Sequence, residues 1–66
     1  MRVEINGEPR DVPEDTTLDA LVGLLKLAPE RLAVELNRRV IRRAEWPLTS
    51  LSEGDRVEIV HFVGGG

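Results

Sequence analysis

The chain has 66 residues, 41% of them hydrophobic, with 12 acidic residues against 9 basic ones and a formal net charge of -3. A chain this short buries only about 60% of the surface that its unfolded form exposes, which leaves room for one thin core and none for a deep catalytic cleft, and so argues against an enzyme. The acidic balance argues against a nucleic-acid footprint, the lack of cysteine excludes disulfides, thiolate metal ligands and cysteine nucleophiles, and the single histidine, His61, can build neither a metal site nor a Ser/His/Asp triad alone.

Met1, Val3 and Ile5 alternate with Arg2 and Glu4, the pattern of a strand with one buried face rather than the apolar stretch of a signal peptide. No apolar run approaches the ~20 residues of a membrane span, so a soluble, cytoplasmic protein is expected. Asn6-Gly7 supplies the two positive-φ positions of a type I′ turn, and the return arm, Glu8 to Val12, carries Pro9, which cannot donate to a ladder and belongs on a sheet edge.

Pro13-Glu14-Asp15 breaks the extended pattern, and Thr16 or Thr17 can cap a helix that runs to about Leu27, where Pro29 stops it. Leu18, Leu21, Val22 and Leu25 fall at i, i+3, i+4 and i+7 and form one apolar stripe to lie across a sheet. Gly23 interrupts this helix at a cost of roughly 0.5–1 kcal/mol relative to alanine, for which close packing or simple tolerance must account.

Leu32, Val34 and Leu36 alternate as a third strand, Asn37-Arg38-Arg39 turns the chain, and Val40-Ile41-Arg42 forms a short fourth strand. Arg38, Arg39, Arg42 and Arg43 lie among glutamates without interleaved aromatics, the composition of a solvated edge or a protein-docking surface rather than a phosphate site. Trp46, the sole tryptophan, precedes Pro47 in an irregular stretch and is expected to plug one end of the core. Ser52-Glu53-Gly54-Asp55 then turns the chain into its last strand, where Val57 and Ile59 share one face with His61 at its boundary, while Glu58, Val60 and Phe62 face the other way. An exposed Val60 and Phe62 would make an apolar docking patch.

This strand runs without a turn signal into Val63, Gly64, Gly65 and Gly66. Glycine is the most costly residue to order, so either the end is a frayed terminus or its bare backbone threads a narrow passage and delivers the Gly66 carboxylate to another protein's active site. The four residues from Val63 to Gly66 would reach roughly 13 Å.

The element order is strand, strand, helix, strand, short strand, strand, with the most apolar strand last. Such a strand belongs in the middle of the sheet, parallel to the first, with one helix covering one face. The expected fold is therefore α+β, a β-grasp (ubiquitin-like) arrangement with a mixed four- to five-stranded sheet. Residues 1–63 would be a single domain and 64–66 a flexible tail.

Ala33-Val34-Glu35-Leu36-Asn37, the run from Leu51 to Val60, and the ending His61-Phe62-Val63-Gly64-Gly65-Gly66 closely resemble the ThiS-type sulfur carriers of thiamine biosynthesis. The resemblance covers essentially the whole chain. It implies that Gly66 is adenylated, at the expense of ATP, by a ubiquitin-activating-like enzyme and converted to a thiocarboxylate. Sulfur would come from a cysteine desulfurase or an equivalent donor and pass to thiazole synthase. Gly64 and Gly65 would thread the partner's channel, and Val60, Phe62 and Val63 would dock. The chain would be a monomer when free, with no bound cofactor, no metal and no catalytic residues of its own. The sulfur carrier of molybdopterin synthesis, a modifier conjugated to lysine, and an interaction module with an inert tail share many of these features.

Overall fold

A computed structural model of the chain describes residues 1–62. The alternation at the N-terminus forms β1 (Arg2–Ile5), and Asn6 and Gly7, at φ 51° and 84°, return the chain into the antiparallel β2 (Glu8–Asp11). Pro9 lies on that outer strand, where its missing N–H costs no ladder bond.

The helix α1 (Leu18–Leu24) starts at Thr17, whose side chain accepts from the Ala20 N–H; Thr16 is buried and donates instead to the Pro13 carbonyl at 2.6 Å. Leu18, Leu21 and Val22 are buried and Leu25 packs partly against the core, so the apolar stripe faces the sheet. The helix ends earlier than the expected Leu27. Lys26 adopts φ 58°, its N–H bonds to the Gly23 carbonyl and that of Leu27 to Val22, which makes a Schellman cap with lysine where glycine is usual. The stop is thus set three residues before Pro29 by the cap.

A β-carbon at Gly23 would meet nothing within 4 Å, so close packing does not require this glycine. Gly23→Ala should therefore stabilise the fold by about 0.5–1 kcal/mol, read as a higher urea midpoint with an unchanged slope.

After a 3-10 turn at Pro29–Arg31 the chain enters β3 (Leu32–Leu36) and then β4 (Arg39–Ile41). The loop between them is the two-residue pair Asn37-Arg38, both at positive φ (51° and 72°), so the fourth strand begins one residue earlier than expected. The stretch expected to be irregular is a 3-10 helix, Arg43–Leu48, that packs against α1. Its Trp46 is 0% exposed, and its Nε1–H donates to the Ile41 carbonyl at 2.9 Å.

The last strand, β5 (Arg56–His61), lies in the middle of the sheet, whose order is β2-β1-β5-β3-β4. It runs parallel to β1 and antiparallel to β3. Val3, Ile5, Val34, Val57 and Ile59 meet Leu18, Leu21 and Val22 in one core, sealed at its end by Trp46 and Leu51. Among the described residues no helix is long and apolar enough to cross a membrane.

Candidate docking surface

With α1 on one face of the sheet, side chains that alternate outward along β5 have no such layer above them among the described residues. Glu58, Val60 and Phe62 are exposed there, Val60 at 56% and Phe62 at 58%. Cross-strand register extends the face: Val60 stands opposite Ala33, Glu58 opposite Glu35, and Glu35 in turn opposite Val40, which is 70% exposed. The result is an apolar strip of Val40, Ala33, Val60 and Phe62 with two glutamates embedded in it.

A shallow depression of about 320 Å³ borders the strip, lined among others by Glu4, Glu35, Arg38, Arg56 and Glu58. Glu4 and Arg56 face one another at 3.8 Å, an exposed pair of small energetic weight. Glu35 and Glu58 are direct neighbours of like charge across an antiparallel pair, an unfavourable arrangement in the free protein. Arg38, Arg39, Arg42 and Arg43 are all exposed, at or beside the edge strand β4, where charge discourages pairing with another sheet.

Phe62 is the last described residue, and its N–H donates to the Arg31 carbonyl at 2.8 Å, so the backbone is held by the sheet up to this point. The expected docking residues Val60 and Phe62 therefore stand side by side on one face of the central strand, at its exit. Val63 and the expected tail, Gly64, Gly65 and Gly66, lie outside the described residues. His61 pairs with Leu32 on the helix-side face and lines a groove of about 560 Å³ with Ile5, Asn6, Leu25, Leu27 and Ile59, but it is exposed there rather than at the boundary expected of it.

Two features escaped the sequence reading. The alternation puts Val40 in a strand without giving it a face; a two-residue Asn37-Arg38 turn sets it opposite Glu35 and turns it outward. Asn6 and Asn37 have the composition of turn formers, yet both side chains also bond across to the last strand or the turn before it. No local sequence signal announces that second use.

The family model described as the ThiS family matches residues 3–66. A crystal structure of thiamine biosynthesis protein ThiS from Geobacter metallireducens superposes with a TM-score of 0.88 at 38% identity, covering 100% of both chains. The sulfur carrier protein ThiS of Bacillus subtilis is 34% identical over 65 residues, 97% of this chain and 98% of that one. A thiazole synthase of Magnetococcus marinus is 44% identical over 66 residues, all of this chain but only 20% of that protein, and one of Paramagnetospirillum magneticum is 36% identical with the same 20% share. The chain thus spans about a fifth of the length of these two synthases and nearly the full length of the carrier and of the solved structure. With its five-stranded sheet, its single covering helix and a match running from Val3 to Gly66, the chain belongs to the ThiS family.

Proposed function

We propose that this chain is a sulfur carrier for thiazole formation in thiamine biosynthesis, acting as substrate and sulfur donor for partner enzymes rather than as an enzyme. Residues 1–63 form the docking domain, and 64–66 deliver the reacting group. The observation that carries the reading is the exposed Val60–Phe62 strip on the central strand, directly ahead of the glycine run Gly64-Gly65-Gly66, of which Gly66 would supply the reacting carboxylate.

The chemistry follows from that carboxylate. A chain-terminal carboxylate, with an ordinary pKa of about 3.3–3.7, is ionised at neutral pH and is a poor electrophile. Its oxygen attacks the α-phosphorus of ATP in the partner's site, pyrophosphate leaves, and the resulting acyl adenylate is open to a sulfur nucleophile that expels AMP. Sulfide gives the thiocarboxylate directly; a persulfide donor gives an acyl disulfide, whose S–S bond a thiol then cleaves. With no cysteine in the chain, sulfur has no thiol of this protein to ride on. Ordering three glycines in the partner's channel costs on the order of 3–6 kcal/mol, which docking through Val60, Phe62 and Val63 must offset. A basic group on the partner, set between Glu35 and Glu58, would relieve their repulsion as the strip is covered.

Thiazole synthase as the acceptor is supported by the synthases in which a segment like this chain makes up a fifth of a longer protein. The ubiquitin-activating-like enzyme and the cysteine desulfurase are parts of the same proposal, as is a cytoplasmic setting, where ATP is at hand.

The test is the intact mass after incubation with ATP, the activating enzyme and a sulfur source. Exchange of one oxygen for sulfur, localised to Gly66, is expected. An unchanged mass beside an enzyme proven active on its own carrier would refute the reading and favour an inert-tail interaction module; an isopeptide-linked product would favour a lysine modifier. A second expectation concerns the strip: Phe62→Asp should weaken binding to the activating enzyme or the synthase by roughly 30-fold, the scale of an interface hot spot. Because Phe62 is exposed, the melting curve should hardly move. Unchanged affinity for both partners would remove the strip from the proposal.

A further inference from the structure

We infer that Asn6 is a positioning residue for the carrier reaction, holding the exit half of β5 so that Val60 and Phe62 meet the partner; this rests on the carrier reading above.

The β1–β5 ladder pairs only Glu4 with Arg56 and Ile5 with Val57, because β1 ends at Ile5. From Glu58 onward, one edge of β5 has no neighbouring strand among the described residues, although the other edge stays paired with β3 as far as Leu32 and His61. Asn6 fills the gap. Its backbone N–H donates to the Val57 carbonyl at 2.9 Å, its Oδ1 accepts from the Ile59 N–H at 2.7 Å, and its Nδ2 donates to the Ile59 carbonyl at 3.3 Å. The side-chain amide thus offers the donor and acceptor that the next peptide of β1 would have offered, 53 residues away in sequence. Its φ of 51° lets it do so from within the turn, a backbone conformation that asparagine tolerates better than most residues.

The consequence falls on the docking residues. Val60 and Phe62 flank His61 directly after the clamped Ile59, so without Asn6 this part of β5 would be held along one edge only. Asn37 supplies a built-in contrast. It also lies in a positive-φ turn and also grips β5, its Oδ1 accepting from the Arg56 N–H at 3.0 Å and its Nδ2 donating to Asp55 Oδ1 at 3.1 Å. That grip is at the start of the strand, far along the chain from the exit. Both asparagines contribute to the fold, and only Asn6 bears on presentation.

The experiment compares Asn6→Gly and Asn37→Gly, both of which keep the left-handed turn while removing the side-chain bonds. It uses full-length chain, ATP and the activating enzyme, with pyrophosphate release as the kinetic readout and amide hydrogen exchange at Ile59 as the structural one. Asn6→Gly should speed Ile59 exchange and raise KM roughly 5- to 10-fold with kcat within about 2-fold, the pattern of lost binding rather than lost chemistry. Asn6→Asp, which keeps the acceptor for the Ile59 N–H, should recover part of the KM. Asn37→Gly should lower thermal stability similarly yet leave KM within about 2-fold. Equal KM increases for the two glycine variants, or an unchanged KM in Asn6→Gly despite faster Ile59 exchange, would overturn the inference. Absence of pyrophosphate release from the unsubstituted chain would overturn the carrier reading itself and the positioning role with it; that failure is told apart because it needs no substitution.

Discussion

Removing Gly65 and Gly66, or adding a single residue after Gly66, is expected to abolish thiocarboxylate formation while leaving the melting curve unchanged. The proposed chemistry uses one carboxylate, that of Gly66, at one distance from the proposed docking strip. A chain shortened by two residues falls about 7 Å short at 3.3–3.6 Å per residue, far more than an active site forgives. An added residue moves the carboxylate past the α-phosphorus and leaves an unreactive amide in its place. The folded domain should not register either change, since Phe62 is already bonded to the Arg31 carbonyl ahead of the altered residues. Gly65→Val separates reach from bulk: it preserves the length and the carboxylate but adds side-chain volume, and should slow adenylation by about 10²-fold through misplacement of the reacting group. Intact-mass kinetics decide each case. Sulfur transfer from the shortened chain at the full rate would show that Gly66 is not the carrier atom's home and would defeat the proposal.

Trp46→Ala is expected to remove a large share of the domain's stability and to move its urea midpoint sharply down. Truncating a wholly buried tryptophan costs about 3–5 kcal/mol, and a chain of this length has on the order of 3–10 kcal/mol of stability to lose. The site offers little scope for collapse: the indole lies between α1, the 3-10 helix that carries it and the end of β4, and it binds that end through the Ile41 carbonyl. Trp46→Phe retains most of the apolar contact but removes the donor, so about 1–3 kcal/mol should be lost. Far-UV circular dichroism during urea denaturation is the suitable probe, because the substitution deletes the only indole. A loss below about 1 kcal/mol for the alanine variant would show that the core end is held by Leu51 and the helix without it.

These two sites differ in how openly the sequence declares them. The glycine run is visible as composition, and its proximity to Val60 and Phe62 is visible as adjacency, so the candidate site was legible wherever its parts are neighbours in the chain. Trp46 was legible as a core plug, while the 3-10 helix that aims it was not, because Trp-Pro in a polar stretch has no periodicity to read. Helix α1 was placed by its leucine stripe but was drawn three residues too long; Leu27 continues the apolar content, and the lysine that ends the helix at φ 58° is a residue type that seldom does so.

Period and turn chemistry, local properties carried by each segment, were enough to place the strands, the start and apolar face of the helix, most of the core and the most apolar strand at the centre, though not Val12 and Leu51 in the core. The sequence by itself could also orient the outer residues of β5, because alternation alone settles which side chains share a face. Tertiary structure alone decided what borders that face and how far each neighbour reaches. Val40 joins the strip through the register of β4 on β3, and the ladder with β1 stops at Val57, leaving Asn6 to complete it at Ile59. Pairings of this kind join residues far apart in the chain through backbone groups that every residue possesses. The energy that selects them lies in the assembled core rather than in any short run of side chains.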